Sequence, residues 1–510
     1  MRSIKGVNLA LLGIGVCSSA ATISCAKEQV ERTERPNVVF IYADDLGRGL
    51  LSHYGQEIIS TPNIDRIFEG GTYFENAHGC QYSSPARASL LTGYHDCRTD
   101  KWTIQKAGQF IREDIEEALP EIEARIDSAD IALPEGDLTL SQVFKRAGYV
   151  TGEVGKLEWG FSSTRKQMER HEWDYYYGYL DHVRCHGYFP PFLFENGELV
   201  WIEGNTHLNC SKEKEADTPE NHAERWDMTG KVQYSQNLFL EKILDFIRIN
   251  KDKPFFLYHP TQLPHGPVSV PEIHPELVDV EGLTEFEREY ALMVKMLDDH
   301  VGIILDELER LRILDNTIII FSADNGHETY YQSASENRCR KPAQSIDKRR
   351  FDDWDYPYTS ELTGDIFDGN DGQSGKKRST LEGGVRVPLA FMWKGKIAKG
   401  RENEQLTANY DLLPTFADLL GVELAYEKDG VSLLPILLDG EESLKGMRYV
   451  HVNSLTGNAV LDSEGWKLRH NKHKNEFKLY NLREDYDESD NVYKENPDVV
   501  ERLMGEIIIE

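Results

Sequence analysis

From Pro36 the chain opens on an unbroken apolar run, Asn37-Val38-Val39-Phe40-Ile41-Tyr42-Ala43, with none of the alternation of a half-exposed strand. Such a run reads as a strand buried on both faces, the habit of parallel sheets. Asp44 and Asp45 end it abruptly. A second run, Pro254-Phe255-Phe256-Leu257-Tyr258-His259, and a third, Thr317-Ile318-Ile319-Ile320-Phe321-Ser322, repeat the pattern, and Asp324-Asn325-Gly326 follows the third. Across residues 287–312, Leu292, Met296, Val301, Ile304, Leu305 and Leu308 recur at helical spacing. Strands alternating with helices predict an α/β fold, a large and mainly parallel sheet sandwiched between helices. Ligands of such sheets gather beyond the carboxyl ends of the strands. The carboxylates at 44, 45 and 324 fall there.

Two stretches break the pattern. Residues 327–375 are polar, rich in Arg, Asp and Tyr, and carry no sustained period. A loop that long inside a compact domain is usually functional or an insertion. After about residue 445 short strands near 446–452, 459–461, 466–470 and 477–480 precede a terminal helix, predicting a small α+β subdomain with a short antiparallel sheet. The expected division is a main domain over 36–444 and a subdomain over 445–510.

At the start, Arg2 and Lys5 precede an apolar stretch from Val7 to Val16 and then small residues up to Cys25. This is the form of a bacterial export signal, too short for a stable anchor. Thr22-Ile23-Ser24-Cys25 reads as a lipoprotein cleavage box, with Thr22 where Leu is usual and simple cleavage nearby as the alternative. Residues 26–35 are then a tether. The expected location is the periplasm or outer membrane of a Gram-negative bacterium.

The formal net charge of −30 argues against nucleic acid as a general partner. It leaves a small anionic substrate open, since a local cluster of cations can outweigh a distant acidic surface. Beyond the signal, Cys80, Cys97, Cys185, Cys210 and Cys339 show no metal-finger spacing. One or two disulfides are compatible with export, without a readable pairing.

Two adjacent acids at a strand end are ordinarily capping or surface residues. The second strand end changes the picture: Asp44, Asp45, Asp324 and Asn325 together offer an all-oxygen site suited to Ca²⁺ or Mg²⁺. The segment Tyr82-Ser83-Ser84-Pro85-Ala86-Arg87-Ala88-Ser89-Leu90-Leu91-Thr92-Gly93 reads first as a helix start, with Ser83 or Ser84 as cap and Pro85 in the first turn. A reactive group there would gain from the helix dipole.

The same segment resembles the signature of the type I sulfatases, a branch of the alkaline phosphatase superfamily. In that family the first residue, here Ser83, is oxidised to formylglycine (3-oxoalanine). Five further blocks arrive in the family's order: Asp44-Asp45 and Asp324-Asn325 as metal pairs, Lys156 after Gly155, His265 in Leu263-Pro264-His265-Gly266-Pro267, and Lys377 ahead of Glu382-Gly383-Gly384-Val385-Arg386-Val387-Pro388. The resemblance implies Ca²⁺ held by Asp44, Asp45, Asp324, Asn325 and residue 83. It implies a hydrated formylglycine that attacks sulfur, with Arg87, Lys156 and Lys377 around the sulfuryl oxygens and His265 protonating the leaving oxygen. It also implies a serine-type maturation enzyme in the same organism.

Departures from the family pattern are Lys156-Leu157-Glu158-Trp159-Gly160, where many relatives have His at the position of Glu158, and His327 after Gly326. An anion beside the sulfate would be unfavourable, so Glu158 is expected to turn away. His327 is expected to be structural. Substrate candidates are His182, Arg184 and His186 in one loop and Glu336, Arg338, Arg349 and Arg350 in the long polar one. The expected substrate is a sulfated galactose or N-acetylgalactosamine of host glycans such as mucin, with a 3-O ester ranked first and a 6-O ester second. Rival readings are a phosphate or phosphonate monoester hydrolase of the same superfamily and a non-catalytic glycan-binding lipoprotein.

Overall fold

The computed structural model describes residues 35–214, 218–331 and 343–509. The export signal, the lipid box, Glu336 and Arg338 therefore lie outside the described residues.

Sixteen strands occur among the described residues: β1 (Asn37–Ala43), β2 (Thr72–Phe74), β3 (Ala77–His78), β4 (Val150–Lys156), β5 (Tyr175–Tyr179), β6 (Phe192–Glu195), β7 (Glu198–Trp201), β8 (Phe255–Pro260), β9 (Thr317–Ala323), β10 (Leu389–Met392), β11 (Arg401–Asn403), β12 (Thr407–Ala408), β13 (Tyr449–Ser454), β14 (Gly457–Asp462), β15 (Trp466–Asn471) and β16 (Glu476–Asn481). Ten form one sheet in the order β11-β2-β10-β9-β1-β8-β4-β5-β6-β7. Its centre, β9-β1-β8-β4-β5, is parallel throughout. Antiparallel pairing appears only toward the margins, at β9-β10-β2 and β5-β6-β7.

Every residue of β1, β8 and β9 is buried, as the unbroken apolar runs require. Side chains alternate across a strand, and β8 shows what each face meets. Phe256 stacks on Phe144 of the helix Leu140–Arg146, centroids 4.0 Å apart. Gly152, in register with the next residue Leu257, faces Phe246 of the helix Ser235–Asn250. Helices thus cover both faces. The helical period over 287–312 is realised as Glu285–Arg310, started by a capping box between Thr284 and Glu287.

The last four strands form a separate antiparallel meander, β13-β14-β15-β16, whose core of Val460, Leu468 and Leu479 is closed by Leu503 of the helix Pro497–Met504. A buried charge network ties it to a separate two-stranded parallel sheet, β3-β12. Lys467 of β15 lies 2.8 Å from Glu382 and 3.0 Å from Glu488, and Glu382 in turn meets His78 at 3.1 Å. Glu382, from the Glu-Gly-Gly block, is therefore a pin between the meander and the β3-β12 pair.

Cys80, Cys97, Cys185 and Cys210 are buried free thiols, so no disulfide forms among the described residues. Among those residues no helix is long and apolar enough to cross a membrane.

Candidate active site

The parallel register of β1 and β9 sets Ala43 beside Ala323, so the residues that follow, Asp44 and Asp324, leave the sheet side by side. Asp45 takes a left-handed backbone conformation (φ 61°), which Asp tolerates better than bulkier residues. Its amide donates to Asp324 Oδ1 at 3.0 Å. Asn325 Nδ2 donates to Asp45 Oδ1 at 2.7 Å. Gly326 follows because backbone passes too close for a side chain: a Cβ there would lie 2.0 Å from the Gly383 carbonyl oxygen.

Ser83 is the first residue of the helix Ser83–Thr92. The N-cap is Tyr82, with no side-chain cap, so neither Ser83 nor Ser84 plays the capping role the sequence suggested. The Ser83 hydroxyl donates instead to Asp44 Oδ1 at 2.8 Å. One turn on, the Arg87 guanidinium, fully buried, lies 3.3 Å from Asp44 Oδ2 and 3.5 Å from Asp324 Oδ2. Lys156, the last residue of β4, reaches Asp44 Oδ2 at 2.6 Å. Lys377 lies 2.7 Å from Asp45 Oδ2 and 3.2 Å from His265 Nε2. The residues at 44, 45, 83, 87, 156, 265, 324, 325 and 377 thus converge, from six segments, at the carboxyl ends of the central strands.

Charge in this cluster is strongly biased. Burial pushes the Asp44 carboxyl up, but Lys156, with His265, Arg87 and Lys377, holds it well below the usual range. Burial and then Asp44 push Asp324 up to about 8. Burial and then Lys377 hold His265 well below the ordinary imidazole value. Its Nδ1 faces the Gly266 carbonyl, so the neutral ring carries its proton there and turns a bare Nε2 toward Lys377. The proton nearest the cavity therefore sits on the Lys377 ammonium.

Within this cluster two of the buried oxygens that have no hydrogen-bond partner stand together, Asp324 Oδ2 and Asn325 Oδ1. Orphaned buried acceptors are rare. With Asp44 and Asp45, whose oxygens approach His265 within 4.8 Å of one another, they form a donor set suited to a hard divalent cation. Such a cation would also keep Asp324 ionised against its burial.

Of this cluster Ser83, Lys156, His265 and Lys377 line an open cavity of about 770 Å³, whose walls also include Tyr82, Phe161, His182, His186 and Tyr330. Tyr330 was not anticipated: its Oη donates to Asp45 Oδ2 at 2.5 Å and lies 3.2 Å from His265 Nε2. The only hint was its place six residues after a metal-type strand end.

The remaining candidates divide. His182 lines the cavity, yet both ring nitrogens are engaged, Nε2 by the Leu157 carbonyl at 3.2 Å and Nδ1 by Ser84 Oγ at 3.4 Å. His186 lies against His265 with centroids 4.2 Å apart. Arg184 is a correction: its guanidinium is buried over the Phe192 ring and donates to the Phe192 carbonyl at 2.7 Å, away from the cavity. A buried, aromatic-lined cradle captured it. Arg349 and Arg350 are also corrected, being exposed and absent from the cavity wall, with Arg349 stacked on Tyr356 at 3.6 Å. Glu158 does turn away, accepting from His171 Nδ1 at 2.9 Å and Trp173 Nε1 at 3.0 Å. His327 is buried against Tyr331 at 2.7 Å.

A family profile described as "Sulfatase" matches residues 36–422, and one described as "N-sulphoglucosamine sulphohydrolase, C-terminal" matches 373–508. The chain is 27% identical to an N-acetylgalactosamine-6-O-sulfatase of Bacteroides thetaiotaomicron, over 94% of this chain and 93% of that protein. It is 28% identical to the human N-acetylgalactosamine-6-sulfatase over 79% of this chain and 66% of that one. A solved structure from work on glycosaminoglycan metabolism by Bacteroides thetaiotaomicron superposes with a TM-score of 0.65 at 23% identity, covering 92% and 98% of the two chains.

Proposed function

The chain belongs to the sulfatase family, as a sulfuric ester hydrolase acting on glycan sulfates, and we propose that it removes the 6-O-sulfate of N-acetylgalactosamine through a formylglycine made from Ser83. The observation that carries the chemistry is the contact of Ser83 Oγ with Asp44 at the floor of a cation-lined cavity. The relatives' specificity supports the 6-O position, which displaces the 3-O ester that the sequence reading ranked first.

Oxidised and hydrated, residue 83 would offer two hydroxyls, one to attack sulfur and one to expel sulfate afterwards. Asp44, Asp45, Asp324, Asn325 and residue 83 would hold Ca²⁺, which supplies Lewis-acid polarisation of the sulfuryl oxygens. Arg87 has two buried nitrogens, Nε and Nη1, without partners, so its guanidinium retains capacity for an anion. Lys156 and Lys377 add positive charge where the S–O bond breaks. The sugar oxygen leaves as a poor alkoxide and needs a proton. Lys377 holds one at 3.2 Å from His265 Nε2, so the two act as a proton-sharing pair, His265 gaining basicity as the anionic sulfate arrives.

The test is a panel of sulfated monosaccharides offered to protein in which oxidation of Ser83 has been verified by mass. Release of sulfate from N-acetylgalactosamine 6-sulfate ahead of the 3-, 4- and glucosamine 6-sulfates is expected; preference for any other ester overturns the assignment.

A further inference from the structure

In the middle of the large sheet one row contains an acid where every neighbour is apolar or aromatic. The parallel registers set Ile320 of β9, Phe40 of β1, Tyr258 of β8, Glu153 of β4 and Tyr176 of β5 side by side. Glu153 is fully buried there. Glutamates are almost never fully buried unless paired. The strand itself has no use for a carboxyl group, since an apolar residue would continue the row.

The two oxygens of Glu153 are treated differently. Its Oε1 accepts from the Glu158 amide at 2.9 Å. That bond helps to hold Glu158 in a left-handed conformation (φ 59°), two residues after Lys156 ends the strand. Its Oε2 has no hydrogen-bond partner, and neither do the Tyr258 hydroxyl and Nε and Nη1 of Arg87. These groups share one buried neighbourhood. The Arg87 guanidinium lies 5.6 Å from the Tyr42 ring centre, and the Tyr42 and Tyr258 rings are 6.1 Å apart. Trp173, whose Nε1 donates to Glu158, stacks on Tyr258 at 6.3 Å. Burial raises the Tyr258 hydroxyl well above its usual range, Arg87 draws it down and Glu153 pushes it up, so both bear on it.

A carboxylate with one oxygen unmet, set in an apolar row near a second carboxylate, is much less favourable than the neutral acid. Burial and then Glu158 push the Glu153 carboxyl well above the usual range, against the smaller pull of the Glu158 amide and Arg87. Ionised, Glu153 would draw on the Arg87 charge that the reaction aims at sulfate. Neutral, it leaves that charge alone.

We propose that Glu153 is a positioning residue for sulfate transfer: as a neutral acid it fixes the turn that follows Lys156 and backs Arg87 beside Tyr258 without taking up its charge. The inference rests on the reading of Arg87 and Lys156 as the groups that hold the sulfuryl oxygens. Glu153 does not line the cavity, so it acts through those two cations.

The test compares wild type with Glu153→Gln and Glu153→Leu. Infrared difference spectra near neutral pH, taken with and without inorganic sulfate, read the carboxyl directly. Wild type should show a protonated-carboxyl band that moves when sulfate meets Arg87, and Glu153→Gln should lack it. On matured enzyme Glu153→Gln should keep kcat and KM within about threefold of wild type, because the amide retains an acceptor for the Glu158 N–H and a donor where the acid proton stood. Glu153→Leu has similar volume and neither group. Its folded fraction should lose about ten- to a hundredfold in kcat, the scale of a misplaced catalytic group. A wild-type difference spectrum without the band, a Gln variant as impaired as the Leu variant, or a Leu variant as active as wild type overturns the proposal. Should Glu153→Leu fail to fold, the spectra and the Gln variant decide. An Arg87→Lys variant that binds inorganic sulfate as wild type does would instead defeat the parent reading, and the infrared band would still report the Glu153 proton.

Discussion

His186 lies face to face with His265, their ring centroids 4.2 Å apart and their planes 14° apart. The stack holds the His265 ring so that Nε2 meets Lys377 while Nδ1 faces the Gly266 carbonyl. Replacing His265 by Ala should lower kcat on sugar sulfates by about 10²–10⁴-fold, the usual worth of a general acid. Loss on an activated aryl sulfate should be much smaller, since that leaving group needs no proton. His186→Phe should retain more activity than His186→Ala. Equal losses on both ester types would remove the proton-sharing role.

The Ser83 hydroxyl has a single oxygen to offer. Protein made without a maturation enzyme should bind sulfated sugars and show no multiple turnover. Active protein should yield a Ser83 peptide lighter by roughly two mass units, the two hydrogens lost from alcohol to aldehyde. Full activity in material carrying only serine would end the formylglycine assignment.

Asp324 Oδ2 and Asn325 Oδ1 have no hydrogen-bond partner, although Arg87 lies 3.5 Å from the first. Exhaustive chelation should abolish turnover and lower the melting temperature. Ca²⁺ should restore both, whereas soft ions should do so poorly. The thermal readout matters because it does not depend on the state of residue 83. Metal-free protein with unchanged melting temperature would contradict the ligand set.

Glu158 occupies a position where many relatives carry histidine, yet it is committed to His171 and Trp173. Glu158→Ala leaves both buried donors without an acceptor, a loss of about 1–3 kcal/mol each before relaxation. Stability should fall while the folded fraction keeps its KM and the pH profile of its kcat. A shifted pH profile would show that Glu158 takes part in the chemistry after all.

His95 and His451 stack at 4.8 Å where β13 meets the main body, and both are pushed down to about 4. Burial is the main cause for each, followed by Arg98 and Arg448 for His95 and by His95 for His451. Held neutral, they bind protons in the unfolded chain between about pH 6.5 and 4 but not in the folded one. The unfolded state then carries more protons, so stability rises with pH. Their contribution is present above about pH 6.5 and is lost as pH falls toward 4. His451→Phe should flatten the fall in melting temperature over that window, and an identical slope in the variant would refute it.

The buried strands were legible because burial on both faces leaves an unbroken apolar run, as in Val38 to Ala43. The helix Glu285–Arg310 was legible because only one stripe of it is apolar. The margins of the sheet were less so: β10 and β11 are short, and pairing direction leaves no trace in composition. At the site, groups inside ordered motifs could be read off, since strand ends and the helix start fix where they point. Tyr330 could not, because a loop brings it in and no period marks it. Arg184 shows the opposite failure. An arginine in a His-rich loop looks like a ligand for an anion, and only tertiary packing reveals that it serves the core.

Ser83 is 4% exposed, and its helix is pinned from behind by Asn409, whose Nδ2 donates to the Ala86 carbonyl at 2.9 Å. A small sugar sulfate can enter from the mouth, but a second protein's catalytic centre has no way to close around that backbone. On the formylglycine reading, oxidation must then come first in time, while residues 83–93 are still an unfolded stretch of chain. Asn409 is synthesised more than 300 residues after Ser83, and that interval is the window for modification. A substitution that hastens local structure around Ser83 could therefore lower specific activity without altering the finished fold, by shutting the maturation step out.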